Sequence, residues 1–128
     1  MNDNDFGKLV FRITIAVLLF FHGYAKITYG LGFIEDALYS NNLPIFLSYF
    51  VYIGEILAPL LIIIGYKTKL AATIIIFSML FAIYLVFPND LTTVTSNGTL
   101  KLELTYFYIF TSLSLIFLGA GKYSFDRR

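Results

Sequence analysis

The chain has 128 residues, 59% of them hydrophobic and 13% charged, with a formal net charge of +1. A mean hydropathy of +0.81 would leave large apolar patches in water, so composition points to a small integral membrane protein with one domain over residues 1–128. Scattered Lys and Arg give no field for nucleic acid; zero Cys excludes disulfides, thiol redox chemistry, iron–sulfur clusters and cysteine zinc sites; and one His excludes a bis-histidine haem within one chain, although a homodimer supplies two.

The lead MNDNDFGK is mixed in sign, and no small-residue cleavage site follows the apolar run LVFRITIAVLLFFHGYAKI, which argues against a cleaved signal peptide. The run predicts a first membrane helix over residues 6–28. At 100° per residue Arg12, His22 and Lys26 fall within an arc of about 80°, one face of that helix. Gly23, between the last two, lets another helix approach closely. The connection over 29–43, YGLGFIEDALYSNNL, is amphipathic. It reads as a short interfacial helix or structured loop, with Glu35 and Asp36 in water and Tyr39 at headgroup level.

A second helix is expected over 44–66. It opens with Pro44, tolerated in a first helical turn, and carries Glu55 close to its middle. A carboxylate at that depth is costly unless protonated, paired or hydrated, so Glu55 should face other helices. Pro59, four residues on, removes the backbone hydrogen bond to the Glu55 carbonyl and kinks the helix. The turn GYKTK follows, with Thr68 as N-cap of a third helix over 69–87 that ends at Pro88. Ala71, Ala72, Ser78 and Ala82 mark its close-packing positions.

Residues 89–104, NDLTTVTSNGTLKLEL, allow two readings. One is a hairpin about Asn97-Gly98; the other is a loop through Thr99 and a fourth helix over 100–118. The second is preferred, because a helix starting only at Leu104 is short for the hydrocarbon thickness. Helix four aligns Glu103, Tyr106, Phe110 and Ser114 on one face.

Lys8, Arg12, Lys67, Lys69, Lys122, Arg127 and Arg128 fall on one side of such a layout, and only Lys26 and Lys101 on the other. The positive-inside rule then puts both termini in the cytoplasm. The expected fold is all-α: an integral, up-down-up-down four-helix bundle of the inner (plasma) membrane, N-in and C-in. Helical rise sets Glu55 near the midplane, Arg12 about 8 Å to the cytoplasmic side, and His22 and Glu103 about 7 and 10 Å outward. These levels propose an inner pair of Arg12 with Glu55, and an outer cluster of His22, Lys26 and Glu103, both facing the bundle interior.

The candidates divide between structural and functional readings. Arg12 with Glu55 is a structural ion pair or a ligand or proton site. His22 is a packing residue or a contact for a proton or a quinone carbonyl, with a metal role the remotest. Lys26 snorkels to the interface or binds an anionic group. Glu103 serves the positive end of its helix, and Tyr106 packs at the interface or stacks on a quinone. The pattern indicates no metal site.

The run RITIAVLLFFHGYAKI, with its Arg and then Gly-x-x-Lys, resembles the first helix of the DoxX family of small membrane proteins. GEILAPLLIIIGYKTKLAATIIIFSMLFA resembles that family's second and third helices. ELTYFYIFTSLSLIFLGAGKYSFD is similar to its ending, an acidic residue opening helix four and a Gly-x-Gly-basic-x-Ser-x-Asp close. The glycines frequent early in the family's first helix are missing, and Phe87-Pro88 stands where a His follows helix three. A role resting on that His is not carried over. The family takes its name from a subunit associated with an archaeal terminal oxidase and with thiosulfate:quinone oxidoreduction, and other relatives are linked to membrane-associated oxidative-stress complexes. The resemblance therefore implies a redox-linked membrane subunit, a fold-level analogy.

Three functional classes follow. The first is an accessory subunit that binds a quinone or couples an oxidoreductase partner to the membrane. With no self-contained redox centre, such a chain is at most a subunit of an oxidoreductase. The second is a structural or assembly protein whose buried charges specify packing, and a homo-oligomer is compatible with both. The third is a small transporter or proton path, ranked last because four helices show no inverted repeat.

Overall fold

A computed structural model describes residues 3–29 and 32–126. Gly30 and Leu31 of the interfacial connection, and Arg127 and Arg128 of the orientation count, lie outside the described residues.

Helix α1 (Asp3–Tyr29) has Asp3 and Asp5 in its first turn and Lys26 in its last, the charge order its dipole favours. Its inward stripe is Arg12, Ile15, Ala16, Leu19 and Gly23, the spacing of one helical face. Helix α2 (Gly32–Ser40) is the amphipathic connector. It buries Ile34 and Leu38, one turn apart, against Leu85 and its neighbours Leu47, Phe81 and Val86, and leaves Glu35, Asp36 and Tyr39 exposed. Asn42, at φ 59°, then reverses the chain, and Leu43 N–H closes on the Leu38 carbonyl at 2.8 Å.

The second predicted span is helical from Ile45 to Ile64 but not uniform. Pro44 is extended and precedes it. A 3-10 turn (Ile45–Ser48) leads into α3 (Tyr49–Tyr52), a π turn (Ile53–Leu57) and α4 (Ala58–Ile64). Pro59 supplies the reason: it offers no N–H to the residue four back, and the widened turn sits immediately before it, where Ala58 N–H reaches the Ile53 carbonyl. Gly65, at φ 73°, ends α4, with Gly65 and Tyr66 N–H bonded to the Ile62 and Leu61 carbonyls.

Helix α5 (Thr68–Val86) is capped differently from the sequence expectation. Thr68 is its first residue rather than its N-cap, and its hydroxyl is buried with no hydrogen-bond partner among the described residues. The cap is Asp126, far down the chain, whose Oδ1 and Oδ2 accept from Lys67 N–H at 2.9 Å and Thr68 N–H at 2.8 Å. A carboxylate on the first-turn amides satisfies orphan donors and the helix dipole together, which a threonine hydroxyl does less well.

The second correction concerns residues 89–104. Val94 and Leu100 form an antiparallel bridge around Gly98 at φ 83°. Thr95 N–H bonds the Thr99 carbonyl at 2.7 Å, and Lys101 N–H the Thr93 carbonyl at 2.8 Å. These bonds hold 94–101 in a hairpin, so the last helix, α6 (Glu103–Leu118), begins three residues later than preferred. Asn97-Gly98 prevails here over the length of the hydrocarbon.

Among the described residues three helices are long and apolar enough to cross a membrane: Asp3–Lys26, Ile45–Ile64 and Thr68–Val86. α6 is apolar but has 16 residues, about 24 Å of rise. The core draws Ala16 and Leu19 from α1, Ala58 and Ile62 from α4, Ala71, Ala72, Ile75 and Met79 from α5, and Tyr108 and Leu115 from α6. Phe21, Phe77, Phe110 and Phe117 stand mostly exposed on the outer faces, which suits acyl chains and not water.

Candidate functional site

The site is assembled where α1 meets the π turn. A Cβ placed on Gly23 would lie 2.6 Å from both the Cβ and the carbonyl oxygen of Glu55, so only glycine allows this approach. On the opposite side Gly54 is pressed against the Ser78 side chain of α5. Two glycines and a serine thus seat the π turn between α1 and α5, with Glu55 1% exposed.

Its charge is met by Lys26, whose Nζ donates to Oε1 at 2.8 Å. His22 Nε2 stands 3.6 Å from the same oxygen, too long for a hydrogen bond. The His22 ring tilts over Tyr108 at a centroid distance of 5.8 Å. Glu55 Oε2, by contrast, is buried and has no hydrogen-bond partner among the described residues.

This polar group forms one wall of a cavity of about 340 Å³. The remaining walls are mostly apolar, among them Phe50 of α3, Met79 and Ile83 of α5 and Ile34 of α2; Ser78 and Thr105 add hydroxyls, and Lys101 and Leu102 close the cavity from the hairpin side. The volume lies at the small end of ordinary ligand pockets.

The sequence-predicted pairing is corrected in two respects. Arg12 does not meet Glu55. It donates to four carbonyls: Ile62 at 2.7 Å, Ile63 at 3.3 Å, Ala120 at 2.6 Å and Tyr123 at 2.8 Å. Its coulombic partner is Asp126. The reason lies in helix geometry, because side chains on α1 lean toward its N-terminus. Long chains on that face sweep one way, Arg12 away from Glu55 toward the end of α4 and Lys26 back toward Glu55. Glu103 does not join His22 and Lys26 either. It is exposed, in a shallow groove with Phe11, Tyr106 and Phe110, since the face it shares with Tyr106, Phe110 and Ser114 turns outward. Tyr106 donates its hydroxyl to the Leu91 carbonyl at 2.6 Å and so ties α6 to the preceding loop.

Of the six candidates, His22, Lys26 and Glu55 therefore come together, while Arg12, Glu103 and Tyr106 lie elsewhere. Sequence reasoning missed Asp126 as a cap, although it closes the Ser-x-Asp ending. It also missed the cavity wall from α2, which the Ile34/Leu38 spacing would have signalled. Among the described residues no group of three His, Cys, Asp or Glu is arranged for a metal ion.

A family model described as DoxX matches residues 7–88. That stretch runs from the second turn of α1 through the end of α5, hence over Gly23, Lys26 and Glu55, and stops before the hairpin and α6. No curated protein and no solved structure matches the chain.

Proposed function

The chain belongs to the DoxX family, and from that premise we propose that it is a membrane-embedded accessory subunit whose cavity holds the head of a quinone-class ligand for an oxidoreductase partner. The observation that carries this reading is the buried Lys26–Glu55 pair forming a polar wall of a mostly apolar cavity. Lys26 Nζ and the His22 ring are suited to donate to a carbonyl oxygen, and Phe50, Met79 and Ile83 to enclose an apolar ring. Quinone would supply the redox capacity, and this chain the binding, orientation and exclusion of water.

The proposed topology has four crossings, up-down-up-down, in the plasma membrane with both termini cytoplasmic. Lys8, Arg12, Lys67, Lys69 and Lys122 at one end of the layout support it against Lys26 and Lys101 at the other. The cavity then opens toward the outer leaflet. A homo-oligomer is compatible with the exposed apolar faces.

A second reading, in which buried charge only fixes packing, is favoured by Arg12, whose donors are spent on backbone carbonyls. The two readings divide by residue: Arg12 for architecture, Lys26, Glu55 and His22 for ligand. Purification in mild detergent, followed by mass spectrometry of copurifying small molecules and proteins, tests the proposal. A quinone and a redox enzyme are expected with the native chain, and the quinone should be lost from Ala82→Phe, which fills a cavity-lining position. Quinone retained equally by that variant would overturn it.

A further inference from the structure

A second hollow, a groove of about 430 Å³, lies on the outer surface of the bundle where α3 and the π turn meet α5. Ile53, Ile74, Phe77, Leu80 and Tyr84 line it, and Phe77, Leu80 and Tyr84 stand exposed. Three further residues, Phe50, Ser78 and Phe81, line both the groove and the cavity beside Lys26 and Glu55. The Phe50 and Phe81 rings meet edge to face at a centroid distance of 6.3 Å, so at this point side chains, not backbone, part the two spaces.

The two spaces are also ordered by depth. On α5 the groove runs from Ile74 to Tyr84, about 15 Å of rise, whereas the cavity starts at Ser78 and continues to Phe87 beyond the helix end. Lys26, Lys101 and Thr105 all belong to the cavity, and the groove is apolar apart from the Ser78 and Tyr84 hydroxyls. A polar space near the outer end of α5, continued by an apolar one toward mid-span, matches an amphiphile lying along the acyl chains.

We infer that the ligand is an amphiphile with a long apolar tail, that it enters sideways from the bilayer between Phe50 and Phe81, and that its tail stays in the groove. This rests on the cavity being a ligand site, as proposed above. Entry from the hairpin side would have to break the Lys101–Asp90 ion pair at 3.1 Å or the bond from the Tyr106 hydroxyl to the Leu91 carbonyl at 2.6 Å. Turning two phenylalanine rings apart breaks no hydrogen bond. Acyl chains would otherwise fill the groove and are as apolar as the tail, so the groove adds little affinity and instead fixes route and orientation.

The test therefore reads position. The native chain in phosphatidylcholine liposomes is photolysed with a decyl-substituted benzoquinone carrying a diazirine near the tail end, and the labelled residues are mapped by mass spectrometry. Labels are expected on Ile53, Phe77, Leu80 or Tyr84, and should be lost when excess tail-less benzoquinone competes or when Ala82→Phe fills the cavity. Labels that either treatment removes but that fall on the hairpin or α2 would overturn sideways entry and leave the cavity reading standing. Groove labels that neither treatment touches would mean ordinary lipid contact, and they, or no labels at all, would overturn the cavity reading and this inference with it.

Discussion

Gly23 and Glu55 are in backbone contact, close enough that a single added methyl group on Gly23 would fall 2.6 Å from the Glu55 carbonyl oxygen. Contact at this point sets the level at which α1 and the π turn meet. The approach is what lets Lys26 reach Oε1.

Gly23→Ala is therefore expected to separate the two segments and lengthen the Lys26–Glu55 contact. Destabilisation of about 1–3 kcal/mol is expected from overpacking. Gly7→Ala is the control, since nothing among the described residues lies within 4 Å of its added Cβ. Thermal unfolding in detergent compares them; equal midpoints would show that the contact does not constrain the helices.

Lys26→Met leaves a buried carboxylate without its cation, which should cost about 3–5 kcal/mol. Adding Glu55→Leu to Lys26→Met should restore most of that, because the double variant buries no charge. A double-mutant cycle in denaturant reads the coupling, and additive losses would contradict a buried pair.

Arg12→Lys is not a conservative change here. A single ammonium cannot reach four carbonyls spread over α4 and the tail, so at least two charge-assisted bonds should be lost, each worth about 1.5–3 kcal/mol. Amide exchange should quicken at Phe125 and Asp126, whose N–H groups bond the Ile64 and Gly65 carbonyls beside Arg12. Unchanged exchange there would mean that the guanidinium does not hold the tail.

Asp126→Ala should free the Lys67 and Thr68 amides and cost about 1–2 kcal/mol, the range of a lost helix cap. Asp126→Asn keeps one acceptor and should cost less. Exchange rates at those two amides discriminate the variants, and identical rates in both would remove Asp126 from the cap.

Much of the site was legible from residue types and helical period. The common face of Arg12, His22 and Lys26, the close approach at Gly23, and the inward Glu55 all follow from 100° per residue and the cost of charge in an apolar layer. The identity of the cation on Glu55 was not legible, because counting rise from mid-span treats side chains as points. Lys26 and Arg12 reach several ångströms along the helix, in the same direction, and that reach decides the pairing. The hairpin is signalled by Asn97-Gly98, whereas the thickness of the hydrocarbon layer favours a longer helix there. Asp126 on Lys67 and Thr68 was beyond local reading, since nothing in the turn itself names a partner 58 or 59 residues away.

That separation also has a consequence for synthesis. By the time α5 leaves the ribosome, α4 and α5 can already be inserted, yet the turn joining them still waits for Asp126, and Arg12 still waits for Ala120 and Tyr123. The order of insertion and the moment of final closure are thus distinct events for this chain. A nascent protein interrupted before its last helix would be threaded but unfastened, with the Lys67 and Thr68 amides open to whatever inspects unfinished polypeptides.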